Sequence, residues 1–318
     1  MVAAPQKQLP VIIESLVRGE DPPIASLAAF SDLGRVEVAL VRSAWPEIPL
    51  ESRQKIIECA LDLAEDSVEL DFTQVALVAL DDESAEVRTR AAASLWESPL
   101  REVASRLLVT LDDDDDPGVR AAAASSLRQF VVLREFEQFD EELGDRVTDA
   151  LRAVQESSDS APALRACALE SLGVRSLPWV SALIVAGYND DERSVRLASV
   201  VAMGDSADER WLDYLVEQLY SDDPEFRFAA VLSLGQVGSE EAVEPLATLL
   251  GDIDPEVVIA AITALGEVGT TDAVDAIDAF AVDAPPEFAE AIADAREVAA
   301  ETGTGPLRRD TSEDYDDE

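Results

Sequence analysis

Apolar residues recur along most of this chain at steps of three, four and seven, the period of a helix that buries one face. No stretch alternates as a half-buried strand does. Between Asp190 and Phe280 the pattern itself repeats: Arg196-Leu-Ala-Ser-Val-Val-Ala-Met-Gly204, Arg227-Phe-Ala-Ala-Val-Leu-Ser-Leu-Gly235 and Val258-Ile-Ala-Ala-Ile-Thr-Ala-Leu-Gly266 stand 31 residues apart. In each, an apolar residue precedes the Arg position, a small residue lies three beyond it and Leu or Met seven beyond it. These share one helical face. A second apolar helix follows, as in Trp211, Leu212, Leu215 and Leu219. A period of this length predicts a solenoid of stacked helix pairs.

The template extends backwards through Arg165, Arg120 and Arg88, at intervals of 31, 45 and 32 residues, giving six units. Gly173, Gly204, Gly235 and Gly266 directly follow the Leu or Met position, where a left-handed residue would close the first helix. The 45-residue interval carries an insertion at about 131–160, in which Val131 to Phe139 extends the first helix and its loop. Such insertions map to one face and often carry function, although Phe136 and Phe139 could equally cover a longer helix. Upstream, four helices are expected at about 23–30, 34–44, 50–65 and 71–80, lacking the Arg template and forming a divergent cap. Residues 1–22 read as an N-terminal arm with a short apolar patch, Val11 to Val17, and residues 301–318 as a disordered acidic tail.

The pattern D-x-x-x-x-V-R-x-x-A-x-x-x-L, present from Asp82 to Leu95, resembles HEAT repeats, in the short form named after phycobilisome lyases, over about residues 81–283. The resemblance implies an all-α fold, a right-handed α-solenoid or armadillo-type superhelix of HEAT-like pairs running over residues 81–300. It implies no single activity, because such repeats serve unrelated ones. Attaching a bilin, as the lyases do, requires a pocket and a partner protein that the template does not encode.

The chain has no histidine. The resemblance therefore does not extend to the HEAT-like hydroxylases, which hold two irons through His-Glu pairs, and His-based zinc sites and triads are excluded as well. No Walker loop, dinucleotide glycine fingerprint, nucleophile elbow or Cys pair is present. Cys59 and Cys167 occupy apolar helical positions far apart and read as reduced core residues. Asp112 to Asp116 lacks the ligand order of an EF-hand and reads as a turn with helix caps. Catalytic residues, metal ligands and a cofactor are not expected, nor is enzymatic activity.

Two rows of residues stand out instead. Asp82, Asp114, Asp159 and Asp190 lie six residues before Arg88, Arg120, Arg165 and Arg196, so each inter-helix turn brings an acid and a base to one edge. With Arg227 and Asp252 they predict a ladder of charge-assisted hydrogen bonds between units. It is interrupted where Ser221 replaces the acid and Val258 the base. The other row lies one and five residues past each template Arg, away from the core stripe: Thr89, Ala93, Ala121 and Ser125 early, then Leu197, Val201, Phe228, Leu232 and Ile259. Helices apolar nearly all round are either buried or present an apolar groove to a partner helix. Trp96 and Arg128 occupy a matching outward position in the first two units, whereas Trp179, Trp211 and Tyr214 on second helices read as packing residues.

The reading that follows is a non-catalytic scaffold or adaptor that binds protein partners through this inner surface and the insertion. The alternative is a lyase-like accessory enzyme whose solenoid holds a substrate protein. Nucleic acid is disfavoured, because phosphate contacts need a stripe of Lys and Arg and the arginines here are read as mostly consumed by the template. With no run of 18 apolar residues and no leader-like N-terminus, a soluble cytoplasmic protein without membrane association is expected.

Charge changes the setting rather than the fold. The net charge is −43, from 67 acidic and 24 basic residues, and Lys7 and Lys55 are the only lysines. Disorder needs low hydrophobicity, yet 47% of this chain is apolar and periodic, which points to a folded acidic protein of halophilic type. Spread over the ~13,000 Å² of a compact protein of this mass, net charges would stand about 17 Å apart, beyond the ~10 Å Debye length at 0.1 M salt. Local runs such as Asp112 to Asp116 lie inside that length, and only about 1 M salt shortens it to ~3 Å. Folding is therefore expected to require molar salt, which circular dichroism during dialysis checks. A cooperative, fully helical protein at about 50 mM salt would contradict the expectation.

Overall fold

The turns that open the first helices share one device. Asp116, Asp223 and Asp254 each precede a proline, and each carboxylate accepts from the backbone N–H two residues on, at 2.8, 3.1 and 3.0 Å. The N-cap satisfies a donor that the helix leaves open, and proline at the next position gives up an N–H that would have no partner. Two of these helices, ending at Val237 and Val268, close on Gly238 and Gly269 in the left-handed region, φ 68° and 63°.

The computed structural model describes residues 8–66 and 70–302; residues 1–7 of the expected arm and 303–318 of the expected tail lie outside the described residues. Helices make up the regular structure and no strand occurs among the described residues. Contacts divide the chain into two units, residues 1–172 and 173–318.

In the first unit, α2 (Ile24–Leu27), α4 (Leu50–Asp66), α6 (Ala85–Ala93), α8 (Pro117–Glu135) and α10 (Pro162–Leu172) pack successively on one another. Beside them run α1 (Leu9–Val17), α3 (Arg35–Ala44), α5 (Thr73–Ala79), α7 (Arg101–Asp113) and α9 (Glu141–Glu156). The apolar patch read as part of an arm belongs to α1, which buries Leu9, Ile12, Ile13 and Leu16 and packs on α3. At the insertion, α8 runs five residues beyond Phe130, to Glu135, and α9 buries Leu143, Val147 and Leu151. Phe139 packs against Phe130 with tilted rings whose centroids are 4.9 Å apart, while Phe136 is exposed.

In the second unit, α12 (Arg193–Asp205), α14 (Pro224–Val237), α16 (Pro255–Val268) and α18 (Ala289–Thr302) form the corresponding row. Their partners are α11 (Pro178–Tyr188), α13 (Leu212–Gln218), α15 (Val243–Thr248) and α17 (Thr271–Ala281). The template positions form the core: Val87, Ala91 and Leu95 in one repeat, and Val195, Ser199 and Met203 in another, have no exposed surface.

Of the glycines after the Leu or Met position, Gly173 follows the last residue of α10, but the other three do not close helices. Gly204, Gly235 and Gly266 lie inside α12, α14 and α16, and neither they nor Gly173 adopts positive φ. Their role is close approach. A Cβ on Gly204 would stand 2.6 Å from Ser233 Cα, one on Gly173 2.8 Å from Ala202 Cα, one on Gly235 2.9 Å from Ala264 Cα and one on Gly266 2.8 Å from Ala295 Cα. Each glycine thus meets the small residue 29 positions later, on the next helix of the row.

Buried serines bond at the same seam. Ser126, Ser171 and Ser233 donate to the carbonyls of Ala92, Ala124 and Val200 on the preceding helix, at 2.8, 2.9 and 2.9 Å. In an ordinary helix interior Gly to Ala gains up to ~1 kcal/mol, but here overpacking opposes it. Gly204→Ala is expected to destabilise by about 1–2 kcal/mol net in thermal or denaturant unfolding. A stabilised variant would show that the seam opens freely.

Candidate interaction surface

The acid at each turn works in two directions. Its Oδ1 shapes the turn, accepting from the N–H two residues on: Ser84 at Asp82, Asp116 at Asp114, Glu192 at Asp190 and Asp254 at Asp252, at 2.8, 2.9, 2.9 and 2.8 Å. Where the rung closes, the same carboxylate receives the Arg of the preceding repeat. Arg88 donates Nε and Nη2 to Asp114 at 2.7 and 2.9 Å, and Arg227 donates the same pair to Asp252 at 2.8 and 2.8 Å. Each Arg also spends Nη1 on the carbonyl six residues back, that of Asp82 at 2.9 Å or Ser221 at 3.0 Å. The forked geometry ties two turns together with one side chain.

Arg53 of α4 belongs to this row although it lies outside the Arg template, since Ser52 rather than an apolar residue precedes it. It donates to Asp82 at 2.7 Å and to Glu83 at 2.8 Å, and Trp45 Nε1 donates to the same Asp82 oxygen at 2.7 Å. The side chains of Arg53 and Asp82 are 5% and 0% exposed. The spacing was the available signal: Arg53 precedes Asp82 by 29 residues, as Arg88 precedes Asp114 by 26.

The insertion interrupts the row. Arg120 turns back to the Leu111 carbonyl at 2.7 Å, and Asp159, which the ladder assigned to the same edge, is exposed and enters no ion pair among the described residues. Arg165 lies half-buried on α10, and the Asp190 carbonyl accepts from Arg196 Nη1 at 2.8 Å. Asp114 and Asp116 use their carboxylates as turn and cap, and no group of three or more possible metal ligands occurs among the described residues.

The outward row divides between the two units. In the second, Leu197 and Val201 on α12 and Leu232 on α14 are half-buried, while Phe228 and Ile259 are 38% and 41% exposed. The row does not lie in the core. It crosses three helices and ends on α18, where the equivalent positions carry exposed Glu290 and Asp294. Trp211 and Tyr214 pack as expected of core-side residues: Trp211 is buried, donates to Ser206 Oγ at 2.9 Å and meets the Tyr214 ring edge-on at 5.7 Å.

In the first unit the equivalent row is small and polar, Ala93 and Ser125 being exposed and Thr89 and Ala121 half-buried. Trp96 is 57% exposed and stands over a cavity of about 380 Å³ lined also by Pro99, Ser125, Val132 and Leu133. Arg128 lines it too, but its Nη1 is tied to the Glu170 carbonyl at 2.7 Å near the end of α10. Gln129 donates to the Leu95 and Ser98 carbonyls in the turn after α6, at 2.9 and 3.0 Å. Of the two thiols, Cys59 is buried and Cys167 half-buried, and burial pushes the Cys167 thiol above its usual range.

Residues 148–234 and 212–296 match the sequence profile of HEAT repeats. No curated protein matches the chain. Among solved structures, the complex of CpcE and CpcF of phycocyanin lyase from Nostoc sp. PCC7120 is 19% identical with a TM-score of 0.53, over 79% of this chain and 96% of that one. The karyopherin Kap121p, solved bound to the extreme C-terminus of the protein phosphatase Cdc14p, is 15% identical with a TM-score of 0.50, over 94% of this chain and 38% of its own. These are likenesses of fold. The described residues are all-helical with the fold of HEAT- and armadillo-type solenoids, and within them residues 148–296 match HEAT repeats.

The Asp252 carboxyl is held below its usual range, chiefly by the hydrogen bond from Arg227. A carboxyl lowered in the folded state contributes stability that is present above its unfolded pKa, about 3.9, and lost as pH falls through the folded value. Arg227→Ala should therefore cost about 3 kcal/mol near neutral pH, leaving a largely buried carboxylate unpaired. The gap to the wild type should close below about pH 4 in denaturant unfolding followed against pH. A gap that persists in acid would assign the loss to packing.

Proposed function

We propose that the protein is a non-catalytic scaffold or adaptor that binds a protein partner on the apolar row of its second unit. The observation that carries this reading is that Leu197, Val201, Phe228, Leu232 and Ile259 keep access to solvent on three successive helices, with Phe228 and Ile259 more than a third exposed. Solvent-accessible apolar residues aligned across helices and bordered by acids suit the apolar face of a partner segment. Glu290 and Asp294 supply that border and favour a basic residue on the partner beside it. The Trp96 cavity and the insertion at 131–160 are secondary contact points of the first unit.

The repeats are of the short type named after phycobilisome lyases, and the acidic surface is an adaptation to molar salt. No helix among the described residues is long and apolar enough to cross a membrane, in keeping with a cytoplasmic place of action. The second reading, a lyase-like accessory enzyme whose solenoid holds a substrate protein, draws on the likeness to CpcE and CpcF, which is one of fold.

Phe228→Asp tests the scaffold reading. The carboxylate would sit at a position already open to water, so helical signal and melting temperature should stay nearly unchanged while affinity capture in molar KCl, read by mass spectrometry, loses the partner. Unfolding or aggregation of the variant would return Phe228 to the core. Capture that survives the substitution would move the binding site elsewhere.

A further inference from the structure

The turn between α13 and α14 holds a rung whose acid is missing. In the closed rungs an Arg gives Nη1 to a carbonyl of its own turn and aims Nε and Nη2 as a fork at the Asp of the next. Arg196 begins in the same way, its Nη1 donating to the Asp190 and Asp191 carbonyls at 2.8 Å each. The residue at the acid position of the next turn is Ser221. Its Oγ takes over the turn-shaping bond, accepting from the Asp223 N–H at 3.2 Å, but it brings no carboxylate. Nε and Nη2 of Arg196 consequently have no hydrogen-bond partner among the described residues.

A cavity of about 360 Å³ opens at this place, lined by Tyr188, Gln218, Ser221 and Phe226 besides Arg193 and Arg196. The two acids on its wall are already engaged. Glu217 accepts from the Tyr188 hydroxyl at 3.0 Å. Asp223 accepts from Arg193 Nε at 2.8 Å and caps α14. Arg193 is further held by Glu225 at 2.6 Å. Arg196 is thus the cation of this cavity that no carboxylate neutralises, and its fork is held in place by the two carbonyls on Nη1.

We propose that this open rung is a carboxylate-binding site. A guest carboxylate takes the place that Asp114 and Asp252 fill in the closed rungs and accepts two parallel hydrogen bonds from Nε–H and Nη2–H of Arg196, while Tyr188 and Phe226 wall the space for the group that carries it. The protein's own aspartates are the pattern for the ligand. The carboxylate comes either from a free organic acid or from an acidic side chain or terminus of a bound polypeptide. None of the apolar-row residues lines this cavity, so the site stands whether or not that row binds a partner.

The test replaces sodium chloride by sodium acetate at constant sodium and follows the Arg196 Nε–H resonance of the full chain. In parallel it uses N-acetyl-glycyl-phenylalanine with a free carboxylate, and the same dipeptide as its amide. The wild type should show a saturable shift with acetate and with the free-acid dipeptide, and none with the amide. Ser221→Asp supplies the missing carboxylate from within: it should melt at a higher temperature than the wild type in chloride and lose the saturable shift. Ser221→Ala keeps the rung open and should retain it. Tighter binding of the dipeptide than of acetate assigns the site to a polypeptide carboxylate, and equal binding to a free acid. A response to the amide equal to that of the acid, a shift unchanged by Ser221→Asp, or no saturable shift at all overturns the proposal.

Discussion

The structure depends on how closely the first helix of each repeat approaches the next. At Gly173, Gly204, Gly235 and Gly266 the neighbouring helix leaves no room for a methyl group, and the facing position holds only Ala or Ser. Helices this close exclude water from their shared face and leave little freedom in register, because a residue slipped by one turn would bring a larger side chain into the seam. Ser126, Ser171 and Ser233 add a hydrogen bond across the same gap, possible only at this separation, with their hydroxyls buried and satisfied.

The turn edge is fixed by charge rather than by shape. An Asp whose Oδ1 bonds its own turn while its carboxylate also takes the preceding Arg makes the local conformation and the inter-repeat contact depend on the same side chain. Breaking either half weakens both. Because Arg53 and Asp82 are almost wholly buried, their pairing is worth keeping mainly for the penalty of leaving one of them alone. Most other ion pairs of this acidic protein lie on its surface, where screening makes each of them weak.

Small residues at the seam have a consequence for function. When Gly, Ala and Ser make the contact between first helices, larger apolar residues at the neighbouring positions are not needed to fill it, and in the second unit Phe228 and Ile259 are left partly in water. The apolar row is therefore a product of the packing mode and not of a loosely packed core. Its limit on α18, at Glu290 and Asp294, coincides with the last repeat described.

The sequence by itself determined the helical class, the 31-residue period and the core positions at the template's apolar, small and Leu sites. Periodicity reports which residues share a face, and all of these depend on that alone. Tertiary structure decided what each face meets. Gly235 and Gly266 read as helix ends until the next helix is seen against them, and the glycines that close α14 and α16 prove to be Gly238 and Gly269. An all-apolar helix reads equally as buried or open, since exposure is set by the distance to neighbouring helices. Arg53 is not legible as a rung because the residue before it breaks the template, and no rung forms between Arg120 and Asp159 because 39 residues, lengthened by the insertion, separate base from acid. Spacing can bring two residues to one edge, but only the packed turns decide whether they come within reach.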